Sequence, residues 1–218
     1  MSREDIVEIR THPADRDALP DGQVRTSKWP TLTYGPTPSV SIADWRFAIT
    51  GAVAATVELD WPALHRLPFV RVRADMHCVT TWSRFGMVWG GFRARDILAL
   101  AKPLPEAVCV FQHAYGGYTT NVDLPAMLDD DVLIATEADG APLDQEHGGP
   151  ARVVVPKRWA WKGAKWVNGF EVLTADRRGF WEINGYHNHG DPWGEGEERY
   201  SSQEKATATR KEGNRLRR

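Results

Sequence analysis

His147-Gly-Gly-Pro-Ala-Arg152-Val-Val-Val-Pro156 runs from a glycine-rich turn into a short β-branched stretch that a proline stops. The valines predict a strand over Arg152–Val155. The turn before it offers backbone N–H groups beside a guanidinium, and Lys157, Arg158, Lys162 and Lys165 follow, interleaved with Trp159, Trp161 and Trp166. Cations beside glycine N–H groups suit a phosphate, and flat indoles suit a ring system. A phosphorylated heterocycle satisfies both. The same residues also fit a basic surface loop whose long stems lie over tryptophan rings. No G-x-x-x-x-G-K-[ST] or G-x-G-x-x-G pattern accompanies them, which disfavours ordinary nucleotide enzymes.

Short elements alternate outward from this stretch. Upstream, Trp45–Thr50 and Ala54–Leu59 predict strands around Gly51. Asp60–Leu67 predicts a short helix with an acidic cap and an early proline, and Phe69–Arg73 a strand running into Cys78. Gly86–Phe92 is a glycine- and tryptophan-rich stretch to which the pattern assigns no element. Ala94–Ala101 predicts a helix ended by Pro103, Ala107–Gln112 a strand, Leu124–Leu128 a helical turn, and Val132–Glu137 a strand before a tight turn at Asp139-Gly140. Downstream, Trp166–Leu173 is the last strand. Strands outnumber helices and no helix is long enough for a regular βαβ series, so the fold class is a β-rich α+β single domain. Its expected parts are a polar N-terminal arm at 1–27, a body at 28–200 and a basic tail at 201–218. Within the body, prolines 30, 36 and 38 make Thr31–Gly35 an extended arm across the surface.

Two cysteines, Cys78 and Cys109, cannot form a disulfide framework and make no Cys-x-x-Cys. Cys78 sits where a strand ends among small and hydroxyl residues, in Asp75-Met-His-Cys78-Val-Thr-Thr-Trp-Ser83. A thiolate there can serve as nucleophile or as a soft ligand for a metal, and a buried inert thiol is the other reading. Cys109, inside an apolar strand, reads as core. His187 and His189 stand two apart in Gly185-Tyr-His-Asn-His189, which fits a metal pair or two hydrogen-bonded histidines. No G-x-S-x-G elbow supports a serine hydrolase.

The chain has 218 residues, 27 basic against 29 acidic, and ten tryptophans. A formal net charge of −2 argues against a nucleic-acid binder, although residues 205–218 carry six Lys/Arg against one Glu. No apolar run reaches the roughly 20 residues of a membrane helix, and Met1–Thr11 lacks a secretory pattern, so the expectation is a cytoplasmic monomer without membrane or nucleic-acid partners.

Taken in order, the Cys78 segment, the His147–Pro156 run, Trp161-Lys-Gly-Ala-Lys165-Trp166 and Gly179-Phe-Trp-Glu-x-x-Gly185-Tyr-His resemble the sulfite-oxidase-type molybdenum enzymes over about residues 29–200. The resemblance implies molybdenum and molybdopterin as cofactors and Cys78 as the thiolate ligand of the metal. It implies that His77, His147, Arg152, Gly163 and Lys165 help hold the pterin and its phosphate, and that Tyr186 stands beside the metal. His113 and Tyr34 align with further pterin or active-site contacts, and Thr119 and Asn121 more loosely.

The departures shape the expected reaction. Sulfite oxidases place an arginine five residues after the metal cysteine, where this chain has Ser83 with Arg84 one step off, and a second arginine, in the arm, is replaced at about Thr33. An oxyanion in a partly dry pocket needs paired charge, so reduction of a neutral S-oxide or N-oxide is expected over sulfite oxidation. Arg84, Arg93, Arg95 and His187 are the residues that could restore the charge. Two-electron oxygen-atom transfer implies a small-molecule substrate and an electron-transfer partner. The rival readings are a cofactor carrier or insertion partner without turnover, and a Trp-rich carbohydrate-binding module.

Overall fold

The structure, a computed structural model, describes residues 6–8, 18–194 and 198–204. In chain order its elements are β1 (Ile6–Glu8), β2 (Val24–Arg25), β3 (Arg46–Gly51), β4 (Val57–Asp60), α1 (Trp61–Leu64), β5 (Phe69–Cys78), β6 (Trp82–Arg93) and α2 (Ala94–Ala101). Then come β7 (Cys109–Ala114), β8 (Thr119–Asp123), α3 (Leu124–Met127), β9 (Leu133–Ala138), β10 (Ala141–Pro142), β11 (Arg152–Val154), a 3-10 turn at Ala160–Lys162, β12 (Val167–Leu173) and α4 (Phe180–Ile183). The β-rich α+β expectation holds.

The strands form two mixed sheets. The larger runs β1-β5-β6-β9-β10, with β11 also on β9 and β2 also on β6, and the smaller runs β4-β3-β12-β7-β8. The Gly/Trp-rich stretch at Gly86–Phe92, given no element from the sequence, is most of β6, which pairs with both β5 and β9. Gly90 and Gly91 are there for close approach, a Cβ on Gly91 lying 2.2 Å from the Ile134 carbonyl oxygen, whereas Gly86 takes a φ of +67° at the irregularity in the β5–β6 pairing. β8 was also not expected, because Thr-Thr-Asn reads as loop; it is an edge strand paired only with β7. The polar N-terminal arm contributes β1 and β2, which add in parallel to β5 and β6.

The short helices follow from their caps. Asp60 accepts from Ala63 N at 2.8 Å and Asp123 from Ala126 N at 3.2 Å, each with a proline at the start of the following turn. α2 ends at Lys102 in a left-handed conformation, φ 52°, one residue before Pro103.

The larger sheet is apolar on both faces, which is what sets up the site. Ile134, Val153 and Phe92 face the smaller sheet and pack with Phe47, Ile49, Ile97, Leu98, Val110 and Phe170. Leu133, Ala135 and Val154 face the other way and pack with Val72, Ala74, Met87 and Trp89, against which Trp29 of the arm lies. Strand alternation thus puts every second residue of β5 and β11 on this second, outer face. No helix among the described residues is long and apolar enough to cross a membrane. Residues 201–204 make one helical turn, and the rest of the expected tail, 205–218, lies outside the described residues.

Candidate active site

Cys78 and Arg152 share the outer face. On β5 the alternation Val72, Ala74, Met76, Cys78 leads along that face to the strand's end, and on β11 Arg152 shares its side with Val154. Cys78 is buried, its Sγ 3.1 Å from Thr80 Oγ1. Burial pushes its thiol pKa up, while Thr80 and the Arg152 charge pull it down. A metal bound there would hold the sulfur as thiolate regardless.

Arg152 is 4% exposed, yet no carboxylate meets it among the described residues. Its Nη1 donates to the His147 carbonyl at 3.0 Å, its guanidinium carbon lies 5.9 Å from the Trp29 ring and 5.6 Å from that of Trp89, and its Nε has no partner. Burial lowers its pKa to about 10. A buried cation with an orphaned N–H is costly unless an anion completes it.

Lys165 is the second cation at this place. Its Nζ donates to Leu32 O at 2.9 Å, Thr33 Oγ1 at 2.6 Å and Glu146 O at 2.9 Å, so its partners are neutral oxygens. Burial, and then the Arg152 charge, lower its pKa to about 8. Gly148 lets the two cations converge. Its φ is +107°, and a Cβ there would lie 2.9 Å from Lys165 Cβ and 3.1 Å from Arg152 Cβ. Gly163 serves the same loop, since a Cβ on it would lie 2.4 Å from the Val153 carbonyl oxygen. Gln112 fixes that loop from β7, donating to Lys162 O at 2.8 Å and accepting from Ala164 N at 2.9 Å.

His147 binds the arm. Its ring stacks on Trp29 with centroids 3.8 Å apart, its Nδ1 lies 2.8 Å from Asp144 Oδ2, and its Nε2 lies 3.0 Å from Trp29 O. The extended arm expected at Thr31–Gly35 therefore crosses the site itself. Tyr34, on that arm, lies 5.9 Å from Trp181, whose ring is 5.1 Å from Tyr186. Tyr186 has no hydrogen-bond partner for its hydroxyl among the described residues. Burial raises its pKa, with Tyr200 and the Cys78 thiolate adding to the effect, which puts Tyr186 within electrostatic reach of Cys78.

Two expected contacts are set apart. His77 turns, by alternation, to the face of β5 opposite Cys78, where its Nδ1 lies 2.8 Å from Ser83 Oγ. His113 pairs with Glu171 at 3.0 Å and packs edge-on to Phe111, whereas Gln112, on the other face of β7, reaches the loop before Lys165. The structure therefore does not bring His77 or His113 to the Cys78–Arg152 group. His187 and His189 are taken up by hydrogen bonds: His187 Nδ1 accepts from Gly190 N at 3.1 Å, and His189 Nδ1 meets Glu198 at 2.7 Å.

Sequence reasoning missed three participants. Trp29 lies against Arg152, Arg84 and His147, but a single Trp in a proline-rich arm carries no pattern. Tyr118, whose hydroxyl donates to Trp161 O, has its pKa raised by burial and interacts electrostatically with Arg152. Glu182 is buried against Lys162 at 2.8 Å and also accepts from Thr120 and Trp161 Nε1, while Lys162 donates further to Asn121 Oδ1 and Asn188 O. This cluster ties α4 to the 3-10 turn.

Known proteins support the same assignment. The oxidoreductase molybdopterin binding domain model matches residues 34–181. The "Uncharacterized oxidoreductase YuiH" of Bacillus subtilis is 38% identical over 186 residues, 84% of this chain and 94% of that protein. The "Putative protein-methionine-sulfoxide reductase subunit YedZ1" of Azospira oryzae is 26% identical over 148 residues, 68% of this chain and 56% of that one. The crystal structure of the sulfane dehydrogenase SoxCD from Paracoccus pantotrophus superposes with a TM-score of 0.61 at 22% identity, covering 68% of this chain and 45% of that one, a likeness of fold. With a thiol and two cations lacking carboxylate partners on one face of the sheet, and a family match across most of the body, the chain belongs to the oxidoreductase molybdopterin binding family and is a molybdopterin-dependent oxidoreductase.

Proposed function

We propose that the chain transfers an oxygen atom between a small substrate and molybdenum held by Cys78, in the direction of S-oxide or N-oxide reduction rather than sulfite oxidation. The observation that carries this is the fate of the charges around Cys78. Ser83 is fully buried, its hydroxyl 2.8 Å from His77 Nδ1 and donating to Gln23 Oε1 at 3.0 Å. Arg84 shares the Cys78 face through its pairing with Met76, but its guanidinium is bound by Asp139. Arg95 lies on α2, beyond the end of β6 far from Cys78, and is bound there by Asp96 and Asp130. An anion clamp needs a preorganised free cation, and this reading assigns the two free ones, Arg152 and Lys165, to the cofactor's phosphate. The description of the Azospira relative as a methionine-sulfoxide reductase subunit is in keeping with this direction.

The residues present fit the cofactor. Arg152, with its orphaned Nε, and Lys165 would bind the phosphate, and Gly148 and Gly163 give the backbone the close approach a side chain would block. Molybdenum in this pterin supplies a two-electron redox centre that can accept or release an oxygen atom. Thr80 orients the Cys78 sulfur by hydrogen bonding. Tyr186 holds a proton at Oη throughout the neutral range, because its pKa is raised, and can donate a hydrogen bond to the oxide oxygen of a substrate. Reduction of an S-oxide to a thioether and water consumes two electrons and two protons, so a redox partner is required.

A carrier or insertion partner would use the same phosphate site. It would have no use for a tyrosine hydroxyl left without a partner within electrostatic reach of Cys78, which favours turnover. The test compares kcat/KM for sulfite oxidation, with a dye acceptor, against reduction of dimethyl sulfoxide and trimethylamine N-oxide, with a dye donor. Faster oxide reduction is expected. Efficient sulfite oxidation with little oxide reduction would overturn the reading and point to Arg84 leaving Asp139.

A further inference from the structure

Tyr186 stands among aromatic rings that run from the site out to the surface. Its ring centroid lies 5.1 Å from Trp161, 5.1 Å from Trp181 and 5.7 Å from Tyr200, and Tyr34 adds a further ring 5.9 Å from Trp181. Tyr34, Trp181, Tyr186 and Tyr200 meet at inclinations of 78°, 59° and 49°, so their faces are not stacked on one another, whereas Trp161 stacks on buried Trp159 and donates to Glu182. Two of these rings stand well into solvent, Tyr34 at 74% and Tyr200 at 49% exposed. Contiguous exposed aromatic surface of this kind marks a place where something apolar binds.

Charge narrows what can bind. The cations that flank the segment are already bound, Arg177 to Glu171 and Arg178 to Glu204. With Arg152 and Lys165 assigned to the cofactor's phosphate, an anionic ring gains little there, and a small aliphatic oxide leaves the rings in water. A flat, uncharged ring gains both area and ring-on-ring contact, typically at offset or edge-on geometries like those already present.

We infer that the oxide is carried on a flat, uncharged aromatic ring, an aryl sulfoxide or a heteroaromatic N-oxide, and that Tyr34 and Trp181 form the platform presenting its oxygen to Tyr186. The inference rests on the oxide-reducing direction argued above and names the substrate class of that same site. Tyr34 and Trp181 are the specificity-determining residues in it. Both lie where an incoming ring can reach them, one on the arm and one on α4.

The test uses the molybdenum-loaded protein with quinoline N-oxide, methyl phenyl sulfoxide and dimethyl sulfoxide. The aromatic oxides are expected to be preferred in kcat/KM by about tenfold or more. Trp181→Ala and Tyr34→Ala are expected to lower the ratio of kcat/KM for quinoline N-oxide to that for dimethyl sulfoxide by about 5–10-fold each, the change appearing in KM rather than kcat, with Trp181→Phe restoring most of it. Binding of quinoline, the deoxygenated product, is read separately by saturation-transfer NMR and should weaken in both alanine variants. Good reduction of all three oxides at equal efficiency, or a ratio unmoved by both substitutions, overturns the platform and leaves the oxide-reducing direction standing. Absence of any oxide reduction overturns both.

Discussion

Arg152→Met should separate folding from cofactor binding. At 4% exposure, with burial lowering its pKa to about 10, the guanidinium destabilises the cofactor-free protein by about 3 kcal/mol relative to a solvated one. Because the folded pKa lies below the unfolded value, that destabilisation persists at every pH below about 10 and is relieved only above it. Methionine removes this term and fills much of the space. It forfeits the bond to His147 O, worth about 1 kcal/mol, and two cation–π contacts near the distance limit, together about 1 kcal/mol. The cofactor-free variant should therefore unfold in urea within about 1 kcal/mol of the parent. Truncating a partner in a buried charged contact costs about 2–5 kcal/mol, so affinity for the cofactor, followed by pterin fluorescence, should fall between about 30-fold and several thousandfold. A variant destabilised by 3 kcal/mol or more without cofactor, or one that retains the cofactor fully, would refute the reasoning that Arg152 awaits an anion.

Lys165, with a pKa of about 8, should make cofactor affinity fall as pH rises from 7 to 9, with proton uptake on binding above pH 8; Lys165→Met should remove that slope, as calorimetry in buffers of different ionisation enthalpy would show. Gly148→Ala must place a Cβ at φ +107° against Lys165 and Arg152, so a loss of roughly 2 kcal/mol in stability and at least tenfold in cofactor retention is expected from denaturation and metal analysis. Glu182→Gln leaves the buried Lys162 charge uncompensated, which should cost about 3–5 kcal/mol, seen as a Tm lowered by roughly 6–15 °C, while the double replacement Lys162→Met/Glu182→Leu should recover most of it.

These residues also show where the sequence was legible. The β5 strand ending at Cys78, the helix at Ala94–Ala101 and the Asp-x-Pro helix starts were readable because each rests on local chemistry: alternation, a cap, a proline. β6 was not, since glycines that permit a close strand approach look the same in sequence as glycines that permit a turn. In the site, Cys78, Arg152 and Lys165 stood out through order and spacing, and the structure brings Arg152 and Lys165 together around Gly148. His77 and His113 entered through the family resemblance; alternation turns His77 to the face of β5 opposite Cys78, and His113 pairs with Glu171. The Lys162–Glu182 pair joins residues twenty positions apart through packing alone, and the arm's hold on His147 and Lys165 spans more than a hundred.

The account stands or falls on Cys78 as the protein's ligand to molybdenum. The most direct measurement is X-ray absorption at the molybdenum edge, with metal and pterin analysis, on the parent, Cys78→Ser and Cys109→Ser proteins made in a molybdate-fed host able to make the cofactor. The parent and Cys109→Ser should bind stoichiometric molybdenum with the same sulfur coordination, and Cys78→Ser should lose one sulfur ligand and all turnover. Unchanged sulfur coordination or wild-type turnover in Cys78→Ser would contradict the account.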